Sequence, residues 1–357
     1  MYQRRIRACL VRLKVEGFVR SRARRRPIYR ALFARCASKA RKLPREISRR
    51  QPSNPQRELI QAFLPFDGMG RPAAQARAPE ALRATGLEAA LAGREVVAKP
   101  DLVLPEASAE RAAGSGLLNE PALLRMIGML HARVGSALSA GRFPLVYGAD
   151  CSVLLATVPA LRDVTGEAGL VFVDGHEDNT PLEVSPTGEA ANMEIALLLG
   201  LTGEQAPAAL RARLPVLQFG QIAMLGPRDH AHRRELGVPT LADRVLLRTP
   251  DELSANPEER AREAVGHVAA GTSGWWLHVD LDVLAEEEFA ARGAPGEDSV
   301  SGGLNWVQLS ELISAALRVG GCRGWSVVIY NPEKDPADGR EARRIVRFVA
   351  DVASCLR

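Results

Sequence analysis

The chain has 357 residues, of which 46% are hydrophobic and 5% aromatic, and its formal net charge is +5. That length holds one large domain or two modest ones, and no apolar run nears the roughly 18 residues a membrane span needs. Neither a span nor a secretory leader is legible, so a soluble, cytoplasmic protein is expected. Five scattered cysteines (Cys9, Cys36, Cys151, Cys322, Cys355) without CxxC spacing fit reduced thiols better than a disulfide framework.

The positive charge is concentrated at one end. Residues 1–50 hold 18 of the 47 Lys and Arg and only 2 of the 42 acidic residues, a balance of +16 that leaves −11 for the rest. An arm such as RSRARRRPIYR could grip phosphates or an anionic surface, and it has something of a transit peptide. Lacking interleaved aromatics or a nucleic-acid motif, residues 1–56 are read as a solvated basic extension, disordered or loosely helical, and nucleic acid is not expected as a partner. The folded unit is expected over residues 57–357.

From about Ile60 short apolar runs alternate with helical segments. PEALRATGLEAAL (79–91) predicts a helix with Pro near its first turn, and EPALLRMIGMLHARVGSALSA (120–140) has apolar residues at 3.6 spacing before Gly141. Strands are expected at FPLVYG, GLVFVD, QIAMLG, WWLHVDLDV and WSVVIYN. Helices at NMEIALLLG, PEERAREAVGHVAA and NWVQLSELISAALRVG lie between several of them. This alternation predicts α/β architecture with a mainly parallel sheet and helices on both faces. Ligands of such sheets bind beyond the carboxyl ends of the strands.

Charge gathers at those ends. FPLVYG runs into Ala149, Asp150, Cys151 and Ser152; LVFVD runs into Gly175, His176, Glu177 and Asp178; WWLHVDLDV carries His278, Asp280 and Asp282. Alternation along an extended segment lets Asp174, His176 and Asp178 share one side, and likewise Asp280 and Asp282. Carboxylates crowded into one crevice repel one another and pay for desolvation unless cations neutralise them, which points to a pair of divalent metals. A polar loop after one strand and a core histidine at His278 facing away from the site are the plainer readings of each piece alone. Two such clusters about a hundred residues apart favour the metal.

In order along the chain, GADCS, DGHED, HVDLDVL, GGL and VVIYNPEKD resemble the arginase/agmatinase ureohydrolases, whose pattern reads GGDHS, DAHxD, SxDxDxxDP and a glutamate before a late NP dipeptide. The resemblance begins near FDGMGRPAAQARAPEALRATGL and covers nearly everything but the basic extension. It implies a three-layer α/β/α sandwich of the arginase/deacetylase kind, a binuclear manganese centre and hydrolysis of a linear C–N bond in a guanidino, hydroxyguanidino or formimino compound. It further implies Asp174 and Asp280 as carboxylates bridging both metals, Asp178 completing one shell, His176 and Asp282 the other, and a trimeric or hexameric homo-oligomer. Hard divalent ions suit such carboxylate-rich shells, and two of them can share a water and lower its pKa.

The departures from that pattern bear on function. Cys151 stands where the family has a histidine ligand; as a thiolate ligand it softens the site and brings zinc, iron or nickel into consideration beside manganese. The family's proton-shuttling histidine falls at Ala191, the glutamate that holds the guanidinium at Ile329, and the acidic residue that recognises the α-amino group at Ala231. Plain arginine is therefore disfavoured, since a buried guanidinium without a carboxylate partner is costly. Glu177, Glu189 and Glu194 are candidates for general acid or base. An exposed first-turn position is the preferred reading for Glu194. His230 and His232 fit a loop facing substrate or solvent, and Arg228 with Asp229 fits a structural ion pair. A small-molecule hydrolase is favoured over a non-catalytic, ligand- or partner-binding relative.

Overall fold

A computed structural model of the chain describes residues 58–71, 74–91, 94–293 and 301–356. The basic extension expected over residues 1–56, with Cys9 and Cys36, lies outside them.

The described strands are β1 (Leu59–Phe63), β2 (Val96–Ala98), β3 (Phe143–Tyr147), β4 (Gly169–Val173), β5 (Ile222–Leu225), β6 (Leu246–Arg248), β7 (Trp275–Asp280) and β8 (Cys322–Val328). They form one sheet in the order β2-β1-β3-β8-β7-β4-β5-β6, and every pairing is parallel. Buried on both faces, β3, β4, β5 and β7 need apolar side chains at nearly every position, which is why they read as continuous runs and not as alternation.

The helices that matter below are α1 (Ala78–Ala84), α2 (Leu87–Ala90), α3 (Glu120–Ser139), α4 (Leu154–Thr165), α5 (Glu194–Leu199), α6 (His230–Glu235), α7 (Pro257–Ala269), α8 (Trp306–Val319) and α9 (Arg340–Ala353). One core packs α1, α2, α7, α8 and α9 on one sheet face, and a second packs α3, α4 and α5 on the other. Strand alternation divides the side chains between the two. In β4, Val171 and Val173 enter the first core and Leu170 and Phe172 the second; in β7, Trp275, Leu277 and Val279 oppose Trp276. The three-layer α/β/α arrangement expected from the sequence is present.

The helix predicted over residues 79–91 is two short helices, α1 and α2, parted by Gly86 in a left-handed conformation (φ 88°). α3 is as predicted, with Leu123, Met126, Ile127, Leu130 and Val134 on its buried stripe.

The register aligns the ends of the four central strands. Tyr147 pairs with Val327, Val327 with Val279, and Val279 with Val173. The chain leaves β3, passes over β8 and β7, and returns to the sheet at β4. The segments that follow these strands therefore converge on one crevice.

Candidate metal centre

One device recurs at three of the converging strand ends. Each first aspartate accepts, at Oδ1, the backbone N–H two residues further on: Ser152 to Asp150 at 3.0 Å, His176 to Asp174 at 2.7 Å, and Asp282 to Asp280 at 2.6 Å. Such Asx turns end the strand and fix the carboxylate's orientation. At Asp174 and Asp280 the second oxygen is left for the crevice, and the two meet: the Cys151 thiol lies 2.9 Å from Asp280 Oδ2 and 3.5 Å from Asp174 Oδ2. At Asp150 the second oxygen accepts Gly68 N–H at 2.7 Å, so this carboxylate ties two loops together and stays out of the cluster. Burial pushes the Asp150 carboxyl up to about 6, against the pull of the Ser152 and Gly68 hydrogen bonds.

On the other side of Asp174, His176 Nδ1 lies 3.0 Å from Asp282 Oδ2 and 3.5 Å from Asp174 Oδ1. Gly175 N–H donates to Asp282 Oδ1 at 2.9 Å. Asp178 adopts φ 42°, a left-handed conformation an aspartate tolerates better than most residues. Two further left-handed residues, Ala149 (φ 62°) and Ile329 (φ 72°), follow β3 and β8. For β-branched Ile329 that backbone is costly, and strain of this kind gathers at sites that over-determine it.

The electrostatics are those of a cation site. Burial, with Asp282 nearby, raises Asp174 to about 6; burial and the Asp282 and Asp174 charges raise Asp280 well above the carboxylate range. The Cys151 thiol is pushed up by burial and by Asp280, Asp174, Asp178 and Glu194. Burial alone would raise Asp282 too, but His176 and Arg228 outweigh it and hold this carboxyl below its ordinary value. Asp282 in return outweighs the desolvation of His176 and, with Asp174 and Asp178, shifts the imidazole well above its ordinary value. Arg228 Nη2 donates to the Asp282 carbonyl at 2.6 Å. A methyl group on Gly175 would sit 2.5 Å from Arg228 Nη1 and 2.7 Å from Asp282 Oδ1. Where the family pattern has alanine, this chain gives the space to a guanidinium.

Three overlapping groups have ligand atoms all within 4.8 Å of one another: Asp174, His176 and Asp282; Cys151, Asp178 and Glu194; Cys151, Asp174 and His278. Among the described residues the buried Glu194 Oε1 and Oε2 and His278 Nε2 have no hydrogen-bond partner. Such atoms are expensive to bury unless a cation or proton engages them. The donor set therefore fits divalent metal ions, with oxygen and nitrogen on the His176 side and oxygen and sulfur on the Cys151 side.

The six residues read from the sequence as ligands thus come together; of the three proposed as acid or base, Glu194 joins them while Glu177 and Glu189 do not. Glu177 faces away. Thr240 Oγ1 and Leu241 N–H each donate to its carboxylate at 2.6 Å, and Arg233 pairs with it at 2.7 Å. Glu189 is half-buried on the loop before α5, with Asn192 Nδ2 donating to it at 3.5 Å. Glu194 is in the first turn of α5, but the exposed position expected there is not found: it is 0% exposed. The apolar Met193 and Ile195 beside it are equally buried, so the turn is enclosed.

His278 likewise does not face away. Its ring stacks on Phe172, Nδ1 meets Ser326 Oγ at 2.8 Å, and a ring nitrogen lies within 4.8 Å of the Cys151 and Asp174 ligand atoms; burial lowers its pKa to about 3, so the imidazole is neutral. His230 and His232 are exposed on α6, outside the cluster, and Asp229 takes Arg233 as its ion-pair partner at 3.1 Å in place of Arg228.

The arginase-family profile matches residues 62–355. This chain is a member of the arginase family. The arginase of Brevibacillus brevis is 29% identical over 176 residues, 48% of this chain and 56% of that protein. The arginase of Eremothecium gossypii is 27% identical over 217 residues, 57% of this chain and 50% of that protein. The chain thus spans about half the length of these curated relatives. Among solved structures, Bacillus caldovelox arginase superposes with a TM-score of 0.69 at 23% identity, covering 83% of this chain and 98% of that one. Proclavaminate amidino hydrolase from Streptomyces clavuligerus gives 0.58 at 18%, covering 85% and 93%. At these identities the superpositions establish a shared arginase-type fold.

Proposed function

We propose that this arginase-family chain is a metal-dependent hydrolase of a linear C–N bond in a guanidino, hydroxyguanidino or formimino compound. The carrying observation is the convergence of Asp174 and Asp280 on Cys151, with His176, Asp178 and Asp282 alongside. Asp174 and Asp280 would bridge two divalent ions; Asp178 and Cys151 would hold one, His176 and Asp282 the other. Manganese suits the oxygen-rich donors, and the thiolate admits zinc, iron or nickel. Two such ions, when bound, supply Lewis acidity and activate water at neutral pH.

The chain's own residues set the rest. The Asx turns hold the carboxylates before any ion arrives, and Arg228 offsets negative charge beside Asp282. A proton carrier must exchange with solvent, which excludes the buried Glu177 and Glu194. Ile329 at the rim offers no carboxylate to a guanidinium, which favours a substrate less basic than arginine or anchored differently. That position also supports a second reading, a family member that binds a ligand without hydrolysing it.

Elemental analysis of the purified chain and of Asp280→Ala, with urea and ammonia release across the three compound classes, tests the proposal. About two metals per chain, lost in the variant, and release from at least one class are expected. Two bound metals without release, or at most a trace of metal in both proteins, leave only the ligand-binding reading.

A further inference from the structure

We propose that Glu194 is itself a metal ligand, completing the shell on the Cys151 side of the centre; the inference rests on the two-metal reading above. Two independent observations place it there. Glu194 is fully buried with neither carboxylate oxygen accepting a hydrogen bond among the described residues, and one of those oxygens lies within 4.8 Å of both Cys151 Sγ and an Asp178 oxygen. The local backbone accounts for the placement. Ile195 N–H donates to the Asp178 carbonyl at 3.1 Å, tying the first turn of α5 to the left-handed Asp178, so the two acids enter the crevice from one joint.

Alternatives for this side chain are costly or idle. An unpaired buried carboxylate forfeits its hydration with nothing in return. Protonation would let Glu194 share a proton with Asp178 but would still leave its other buried oxygen without a partner. A solvent-linked proton carrier is excluded by burial, since Met193, Ile195 and Asp178 enclose the group. A cation held by Glu194, Cys151 and Asp178 would neutralise the buried carboxylate and remove the repulsion between the two acids. The substitution of Cys151 for histidine then belongs to a wider change of shell, from nitrogen and oxygen donors to sulfur and an added carboxylate. Such a shell is more anionic, and the Arg228 guanidinium against Asp282 offsets part of the surplus.

The test is cobalt(II) titration of the full chain followed by absorption spectroscopy and competition with a chelator, for wild type, Glu194→Gln and Glu194→Ala. Thermal unfolding in chelator confirms that each variant folds. Glu194→Gln keeps shape and hydrogen-bonding capacity, so a merely protonated buried acid would tolerate it, whereas a ligand would not. Expected are two cobalt ions in wild type and one of the two bound at least tenfold more weakly in both variants. The d–d bands should change as coordination falls, while the thiolate-to-cobalt charge-transfer band of Cys151 persists. Wild-type affinity and spectrum in either folded variant overturn the inference alone. A wild-type chain that takes up no cobalt, manganese or zinc overturns it together with the functional reading.

Discussion

Replacing Asp280 by asparagine should move stability in opposite directions with and without metal. Asparagine keeps the oxygen that accepts Asp282 N–H, so the turn after β7 survives, and puts an amide nitrogen of similar size in place of the oxygen that faces Cys151 Sγ. In chelator the change removes one of several mutually repelling buried carboxyls, and the variant should be as stable as wild type or up to about 2 kcal/mol more stable. With free metal a thousandfold above its dissociation constant, each occupied site adds about 4 kcal/mol. For a chain of this size 1 kcal/mol is worth roughly 2 °C, so loading two sites should raise the midpoint of wild type by on the order of 15 °C. Asp280→Asn, lacking a bridging carboxylate, should show a rise of no more than a few degrees. Scanning calorimetry of both proteins with manganese and with EDTA measures all four midpoints. A variant several degrees less stable than wild type in EDTA that keeps the full metal-induced rise would mean that Asp280 supports the fold and bridges nothing.

Two further substitutions separate scaffold from centre. Arg233→Ala leaves the buried carboxylates of Glu177 and Asp229 without their shared cation and should cost about 3–5 kcal/mol in urea unfolding, a loss below 1 kcal/mol refuting the pairing as a structural support. Gly175→Ala restores the residue of the family pattern but puts a methyl group where Arg228 and Asp282 now lie, so one metal should bind about tenfold more weakly by titration; unchanged affinity for both ions would show that the guanidinium is dispensable there.

Much of this centre is legible in the sequence because its ligands follow directly upon buried strands. A run such as LVFV ends in charge only where the chain leaves the sheet, and alternation then groups Asp174, His176 and Asp178. The same alternation sets Glu177 on the opposite side, where Arg233, Thr240 and Leu241 hold it, and puts His278 on the side of Asp280. Both signals are present in the sequence but compete with composition, which makes every acid near a motif a candidate. Other features have no local signal. β2 and β6 are three residues long and half-buried, so no periodicity marks them. α4 is buried almost all round and contains Pro159, which reads as a break. The burial of Glu194 depends on the Asp178 carbonyl, a tertiary contact that first-turn statistics cannot anticipate.

The departures from the family pattern fall into two sets with different physical consequences. Ala191, Ile329 and Ala231 lack the groups that, on the family resemblance, would touch a substrate or carry its proton. Cys151, Gly175 and His278 instead change the surroundings of the proposed metal centre, which Glu194 also enters, and each is answered by another group. The thiol lies against Asp280 and Asp174, the guanidinium of Arg228 occupies the space that Gly175 leaves, and Glu194 and His278 bring unpartnered atoms to Cys151. A centre that was merely decaying would lose its buried charges first, because unpaired carboxylates at 0% to 8% exposure cost stability whether or not the protein acts on anything. Retention of Asp174, Asp178 and Asp280, and the presence of a further buried acid, argue that cations are still bound.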